Sequence, residues 1–145
     1  MLACGRIRDQ KARRLACAVL SMAFGAAGVL HLTSPEPFLA ITPEWVPWAE
    51  TVIQVTGVCE IAGAAGLLVP RLRRAAGIGL ALYAVCVFPA NIKHAVDQVV
   101  IGGATLGWWY HGPRLAFQPV IVWWALWASQ AIAWPSRRRP SACAG

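Results

Sequence analysis

The stretch TVIQVTGVCEIAGAAGLLV at residues 51–69 decides the fold class, because its 19 residues carry a single charge, that of Glu60. At about 1.5 Å per residue, a helix of this length extends roughly 28 Å, close to the roughly 30 Å thickness of a bilayer's hydrocarbon core. A helix in a soluble bundle would need a polar stripe along one face, and this stretch has none. We therefore predict that it is a transmembrane helix.

Three further stretches have the same character. Residues 15–33, 75–92 and 115–134 contain no Asp, Glu, Lys or Arg. The composition agrees, since 58% of the 145 residues are hydrophobic and 13% are charged, about half the roughly 25% charge of an average soluble domain. The sequence thus predicts an all-α fold, a four-helix transmembrane bundle formed by one membrane domain at residues 15–134.

The basic residues predict how these helices are oriented. Eleven of the 13 Lys and Arg residues lie in the N-terminal arm (1–14), the turn at 70–74 and the C-terminal tail (135–145). The segments between them, which would lie on the other side of the membrane, carry two. Because cytoplasmic loops are enriched in Lys and Arg, we expect an antiparallel up-and-down topology with both termini in the cytoplasm of a bacterial inner membrane. The first apolar stretch is too long for a typical signal peptide and is interpreted as an uncleaved helix.

The same composition excludes several other classes of protein. Disordered chains are poor in apolar residues and rich in charge. Five scattered cysteines do not form the spacing of a disulfide framework. No Cys/His cluster has the spacing of metal ligands, so no metal is predicted. The basic runs at the termini are interpreted as orientation signals, and no nucleic-acid partner is expected because the chain is too apolar.

Glu60 is the tenth of 19 residues in its predicted helix, so it lies near the middle of the bilayer. A charged side chain costs about 2.5–3.5 kcal/mol there on insertion scales. The residues three and four positions away are all small, which turns Glu60 toward another helix. They are Thr56, Gly57, Gly63 and Ala64. Two interpretations stay open: a proton-relay or ligand-anchoring carboxyl group, or an interhelical hydrogen bond that stabilises the bundle.

Each of the other predicted helices contributes one polar side chain, namely His31, Asn91 and Gln118. Together with Glu60 they lie at the midplane or in the outer half, whereas chance would scatter them over both leaflets. This clustering predicts one polar cavity open toward the outside. The alternative is that the three are ordinary interfacial residues at helix ends. Counting depth from the outer helix ends separates His31 from Glu60 by roughly 10 Å, which the Glu60 side chain or one water could bridge.

Small residues predict where the helices pack, because close backbone approach supplies the packing between helices in lipid. The positions are Gly28, Gly57, Gly63 and Gly66. The alternative is that glycine is simply common in membrane helices. In the third predicted helix, Pro89 lacks a backbone N–H, so it is expected to kink the helix and to free the carbonyl near Val85.

Four segments carry a family resemblance: GVLH at residues 28–31 before a loop rich in Pro and Trp, GVCEIAG at 57–63, FPANI at 88–92 and the Gln118-Pro pair in the last helix. They resemble the DoxX-like family of small bacterial four-helix membrane proteins over about residues 15–128. The resemblance implies an integral membrane protein without an accepted catalytic motif. Some relatives resemble subunits of a thiosulfate:quinone oxidoreductase or accompany membrane redox partners.

Three functions are compatible with this pattern. The first is a redox-linked accessory subunit, not an enzyme on its own, whose outer cavity binds a quinone or a similar small lipophilic ligand through Glu60 and His31. The second is a non-catalytic membrane scaffold or assembly factor. The third is a small-solute or proton-coupled transporter, which would need a homo-oligomer because four helices are few. The expected partners are the lipid bilayer and a membrane redox or assembly partner, and no cofactor other than quinone is suggested.

Overall fold

The structure, a computed structural model, describes residues 2–97 and 107–132, with side chains from residue 9 onward. All regular secondary structure in these ranges is helical, which confirms the predicted all-α class. The helices are, in chain order, α1 (Leu2–Thr33), α2 (Glu36–Ile41), α3 (Ala49–Leu68), α4 (Arg73–Cys86), α5 (Phe88–Val96) and α6 (Trp108–Ala128).

Three helical stretches of the described chain are long and apolar enough to cross a membrane: Asp9–Thr33, Ala49–Leu68 and Arg73–Val96, the last combining α4 and α5. Only 28–33% of the residues in their most apolar windows are buried. Large apolar side chains such as Leu15 and Leu82 are more than half exposed. Helices that are apolar on their exposed sides are expected where the surroundings are lipid. These helices are therefore compatible with association with a lipid bilayer.

The N-terminal arm predicted at residues 1–14 is not separate from the first helix. α1 begins at Leu2, so the basic residues of the arm continue the helix by more than three turns. The arm contains no glycine or proline after Gly5, so nothing in it stops the helix. The loop that follows α1 contains the short helix α2, which packs against α3 and α5.

The third predicted helix, residues 75–92, is interrupted just before Pro89. α4 ends at Cys86 and α5 begins at Phe88, with Val87 between them. Pro89 lies in the first turn of α5, where its missing N–H needs no partner. The Asn91 N–H then donates to the Val87 carbonyl at 3.2 Å and starts the new helix.

The last helix differs from the predicted residues 115–134 at both ends. α6 begins at Trp108, seven residues earlier than predicted. The helix continues through Pro113 as well as Pro119. It ends at Ala128, where Gln130 adopts a left-handed conformation with a φ of 65°. The N–H of Ala131 donates to the Leu126 carbonyl at 2.9 Å, as in a Schellman cap. Apolar composition does not encode this cap, and residues 133–134 lie outside the described residues.

A hydrophobic core fills one half of the structure, where the middle of α1 and the middle of α4 meet the ends of α3 and α6. Its buried residues are Ala16, Cys17, Leu20, Leu67, Leu80, Ala81, Ala125 and Ala128. Neighbouring side chains satisfy the last carbonyls of α6 there: Arg13 donates to Trp127 and stacks on its ring, and the Cys17 thiol donates to Ala128 at 3.3 Å. The polar side chains of interest therefore lie in the other half.

Candidate functional site

A cavity of about 550 Å³ lies among α1, α3, α4, α5 and α6, with the loop containing α2 as part of its wall. Pockets that hold small molecules typically measure about 300–1,000 Å³. All four polar residues singled out from the sequence line it: His31, Glu60, Asn91 and Gln118. Thr56, Tyr83 and Arg114 add further polar groups. The rest of the wall is mainly apolar and includes Phe24, Ile53, Phe117, Ile121 and Trp124.

The contact between α1 and α3 sets the position of one side of this cavity. A Cβ placed on Gly28 would lie 2.6 Å from the Gly57 carbonyl oxygen, and one placed on Gly57 would lie 2.8 Å from the Cβ of His31. Both distances are too short for any real side chain, so the two backbones touch at this point. The Ser21 hydroxyl continues the antiparallel contact by donating to the Ala64 carbonyl at 2.7 Å.

This contact brings His31 and Glu60 together. Their Nδ1 and Oε2 atoms are 3.0 Å apart, and the residues are 7% and 3% exposed. Neither atom has an aligned hydrogen bond in the described part of the chain, so the contact is a close electrostatic one. The roughly 10 Å expected from the sequence is a difference in depth that the Glu60 side chain could bridge, and in the structure this side chain does contact His31. Depth is set by the packing of Gly28 on Gly57, only one turn before Glu60, and not by the helix ends.

Aromatic side chains enclose the pair. The ring of Phe38, from α2, meets the His31 ring edge-on with the ring centroids 3.9 Å apart. Tyr83, from α4, lies next to Glu60 and Thr56. The pair is thus surrounded by α1, α2, α3 and α4, and both residues are buried. In such surroundings electrostatic interactions are stronger than at a wet surface.

A second polar group connects α4, α5 and α6. The Asn91 amide donates to Gln118 Oε1 at 3.1 Å, and the Gln118 amide donates to the Ala84 carbonyl. Ala84 lies in the last turn of α4, where carbonyls lack partners within the helix. The sequence predicted a free carbonyl near Val85. In the structure Gln118 bonds the carbonyl one residue earlier.

Arg114 extends this second group. Its guanidinium donates to Asn91 Oδ1 and approaches His94 Nδ1, both at 2.7 Å. Since a guanidinium can only donate, His94 Nδ1 must accept, and the proton of the neutral ring is then on Nε2. The rings of His94 and His111 are 4.6 Å apart, and both residues are buried. His94 Nε2 and both ring nitrogens of His111 have no hydrogen-bond partner among the described residues.

Sequence reasoning did not include Arg114, His94 or His111 in the cavity group. Helical spacing contained the signal: residues 111, 114 and 118 share one face of α6, and residues 91 and 94 share one face of α5. The histidines do not amount to a metal centre. No group of three or more His, Cys, Asp or Glu able to hold a metal occurs in residues 9–97 and 107–132.

The four glycines predicted at packing positions all lie at helix contacts. Besides Gly28 and Gly57, a Cβ on Gly63 would lie 2.7 Å from Leu80 Cδ2, and one on Gly66 would lie 2.8 Å from the Cβ of Ala76. These two contacts hold α4 against α3. Gly77 in α4 lies at a helix contact as well: a Cβ there would meet the Ser129 side chain and would lie 2.9 Å from the Ala125 carbonyl oxygen.

Comparison with curated proteins and comparison with solved structures each give no match. A protein-family model matches residues 20–129, from the middle of α1 to the cap after α6. The match includes every cavity residue described above and most of the chain. The chain therefore belongs to the family described as a domain of unknown function, DUF8561.

Proposed function

We propose that the chain is an integral membrane protein of the DoxX-like type, in which α6 is a fourth span beside the three apolar stretches. α6 has 21 residues, which is about 31 Å of helix. It contains five tryptophans and two prolines, and Trp is common in membrane helices near the headgroups. The distribution of Lys and Arg supports a bacterial inner membrane location with both termini in the cytoplasm. Reporter fusions at each terminus and in the loop at 34–48 test this topology.

Within this bundle we propose that the cavity binds the headgroup of a quinone or a similar small lipophilic ligand, and that the protein serves a membrane redox partner as an accessory subunit. The observation that carries the proposal is a cavity of about 550 Å³ whose wall is mostly apolar and holds two separate groups of buried polar side chains. Ionisable residues inside membrane segments most often serve ligands, ions or protons.

The chemistry of a quinone suits these groups. A quinone ring carries two carbonyl oxygens on opposite edges, and each requires a hydrogen-bond donor when it is buried. His31 and Tyr83 supply donors on the side of α1 and α4, while Asn91 supplies an amide on the side of α5. Glu60, next to His31, can take up or release the proton that accompanies quinone reduction or quinol oxidation. The apolar wall accommodates the ring faces.

Titration of a soluble quinone analogue into purified protein in nanodiscs tests the proposal, with quenching of tryptophan fluorescence as the readout because Trp124 lines the cavity. We expect Glu60→Gln and His31→Ala each to weaken binding about tenfold or more, the usual effect of losing a hydrogen bond to a charged group. The matched control is Glu50→Gln, since Glu50 is exposed and outside the cavity. It should bind like the unchanged protein.

Equal binding by all four proteins would refute a quinone site in this cavity. In that case, co-purification of a membrane partner that survives Glu60→Gln would favour the scaffold function. Loss of the partner when Gly28 is replaced by a larger residue would also favour the scaffold function.

A further inference from the structure

Arg114 is a cation in the cavity wall that has no carboxylate partner among residues 9–97 and 107–132. All six Asp and Glu side chains of the chain lie in these ranges. Asp9 pairs with Arg13 at 3.3 Å, and Glu60 faces His31 at 3.0 Å. The other four are exposed and form no ion pair within the described residues. They are Glu36, Glu44, Glu50 and Asp97.

The contacts that Arg114 does make are with neutral groups. One N–H on each terminal nitrogen is directed to His94 Nδ1 and Asn91 Oδ1. These two contacts fix the guanidinium plane, because His94 and Asn91 are both buried and lie one turn apart on α5. A guanidinium has five N–H groups, so three remain for another partner. Arg114 is half-buried and lines the cavity.

The two charged residues of the cavity wall are therefore in different states. Glu60 already has an ionisable partner in contact with it, whereas the Arg114 charge is oriented but not neutralised. A positive charge in low-dielectric surroundings is costly unless an anion approaches it. Planar oxyanions match the fork of a guanidinium better than any neutral acceptor does, since two parallel charge-assisted hydrogen bonds form.

We infer that the ligand of this cavity is a lipophilic molecule with an oxyanion head, and that Arg114 binds the oxyanion while Asn91 and His94 hold the guanidinium in place. The inference rests on the proposed function in taking the cavity as a ligand site, and it adds the charge of the ligand. Two sources supply the same chemistry: a long-chain carboxylate, or a quinone with an ionised ring hydroxyl.

Two matched pairs of probes distinguish charge from shape and one source from the other. The first pair is dodecanoate and its methyl ester. The second is an alkyl hydroxynaphthoquinone, which is anionic at neutral pH, and its methyl ether. Each is titrated into the full chain in nanodiscs of one fixed lipid composition, so that lipid phosphates are the same in every arm. The expected result is that at least one acid binds tenfold or more tightly than its neutral partner.

Variants then assign the preference to Arg114. Arg114→Gln should abolish the preference for the acids over their neutral partners, and Arg114→Lys should retain part of that preference because the charge remains. Arg14→Gln is the matched control, since Arg14 is exposed and outside the cavity. The comparison of acids with neutral partners uses the unchanged protein. It can therefore refute the inference even if Arg114→Gln does not fold.

Each alternative outcome overturns the inference in a recognisable way. If acids and neutral partners bind equally well, the anionic ligand is refuted and the proposed neutral quinone site stands. If the preference persists in Arg114→Gln, the anion binds elsewhere. If neither these probes nor the neutral quinone analogue binds, the proposed function fails and the inference fails with it.

Discussion

Replacing Gly28 by alanine tests whether the contact between α1 and α3 holds the candidate site together. The new Cβ would lie 2.6 Å from the Gly57 carbonyl oxygen and 2.8 Å from Ile61 Cγ1. Backbone cannot yield as a flexible side chain can, so α1 must move away from α3. Ordinary contact begins at 3.4 Å, which requires a shift of about 0.8 Å near the His31–Glu60 pair.

Two opposing effects set the size of the change in the free energy of unfolding. Alanine in a helix interior is favoured over glycine by up to about 1 kcal/mol, and overpacking a close contact costs about 1–3 kcal/mol. Gly79→Ala isolates the first effect, because a Cβ at this exposed position of α4 would meet no atom of the described residues within 4 Å beyond its own stretch of helix. We therefore expect Gly28→Ala to be less stable than Gly79→Ala by about 1–3 kcal/mol.

Equilibrium unfolding in a mild non-ionic detergent, followed by far-ultraviolet circular dichroism, measures this difference. Gly28→Ala should also weaken binding of the quinone analogue, which Gly79→Ala should not. If the two variants were equally stable, within about 0.5 kcal/mol, Gly28 would have room for a side chain. The reasoning that places His31 against Glu60 through this contact would then be refuted.

Three further perturbations test other parts of the structure by the same unfolding measurement. In a double-mutant cycle, His31→Ala and Glu60→Ala should be non-additive by about 0.5–3 kcal/mol, and additive effects would show that the pair does not interact. Gln118→Leu should destabilise the protein by about 1–3 kcal/mol because it leaves two buried hydrogen-bonding groups unpaired; a neutral result would mean that another group takes them over. Arg13→Met should destabilise by about 1–3 kcal/mol by uncapping the end of α6, whereas exposed Arg14→Met should change stability by less than about 0.5 kcal/mol.

The sequence determined the parts of the fold that depend on composition and small residues. The apolar runs predicted the three stretches able to cross a membrane, and the helical spacing around Glu60 predicted that it faces a neighbouring helix. Local capping was harder to predict. α6 ends where Gln130 adopts a left-handed conformation. Glycine or asparagine at this position would have indicated such a helix end, whereas glutamine does not.

The second polar group escaped prediction for a different reason. Arg114 and His94 lie just outside the apolar runs at residues 115–134 and 75–92, so composition alone does not place them on the same helical faces as Gln118 and Asn91. The 3.0 Å contact between His31 and Glu60 required the register of two helices that are far apart in sequence. That register depends on which glycine of α1 contacts which glycine of α3. Each helix contains several glycines, so a single sequence does not identify the pair.

The Gly28–Gly57 contact has a consequence for redesign of the protein. Gly28 has no side chain that could bind a ligand. A larger residue at position 28 would nevertheless move His31 and Glu60, which do have such side chains. The polar residues on α5 and α6 are instead held by side-chain hydrogen bonds, which conservative exchanges such as Arg114→Lys preserve in part. Attempts to alter the ligand preference of the cavity should therefore change side chains of α5 and α6 and keep the contact between α1 and α3. The backbone contact between α1 and α3 tolerates less change than the side-chain hydrogen bonds of α5 and α6.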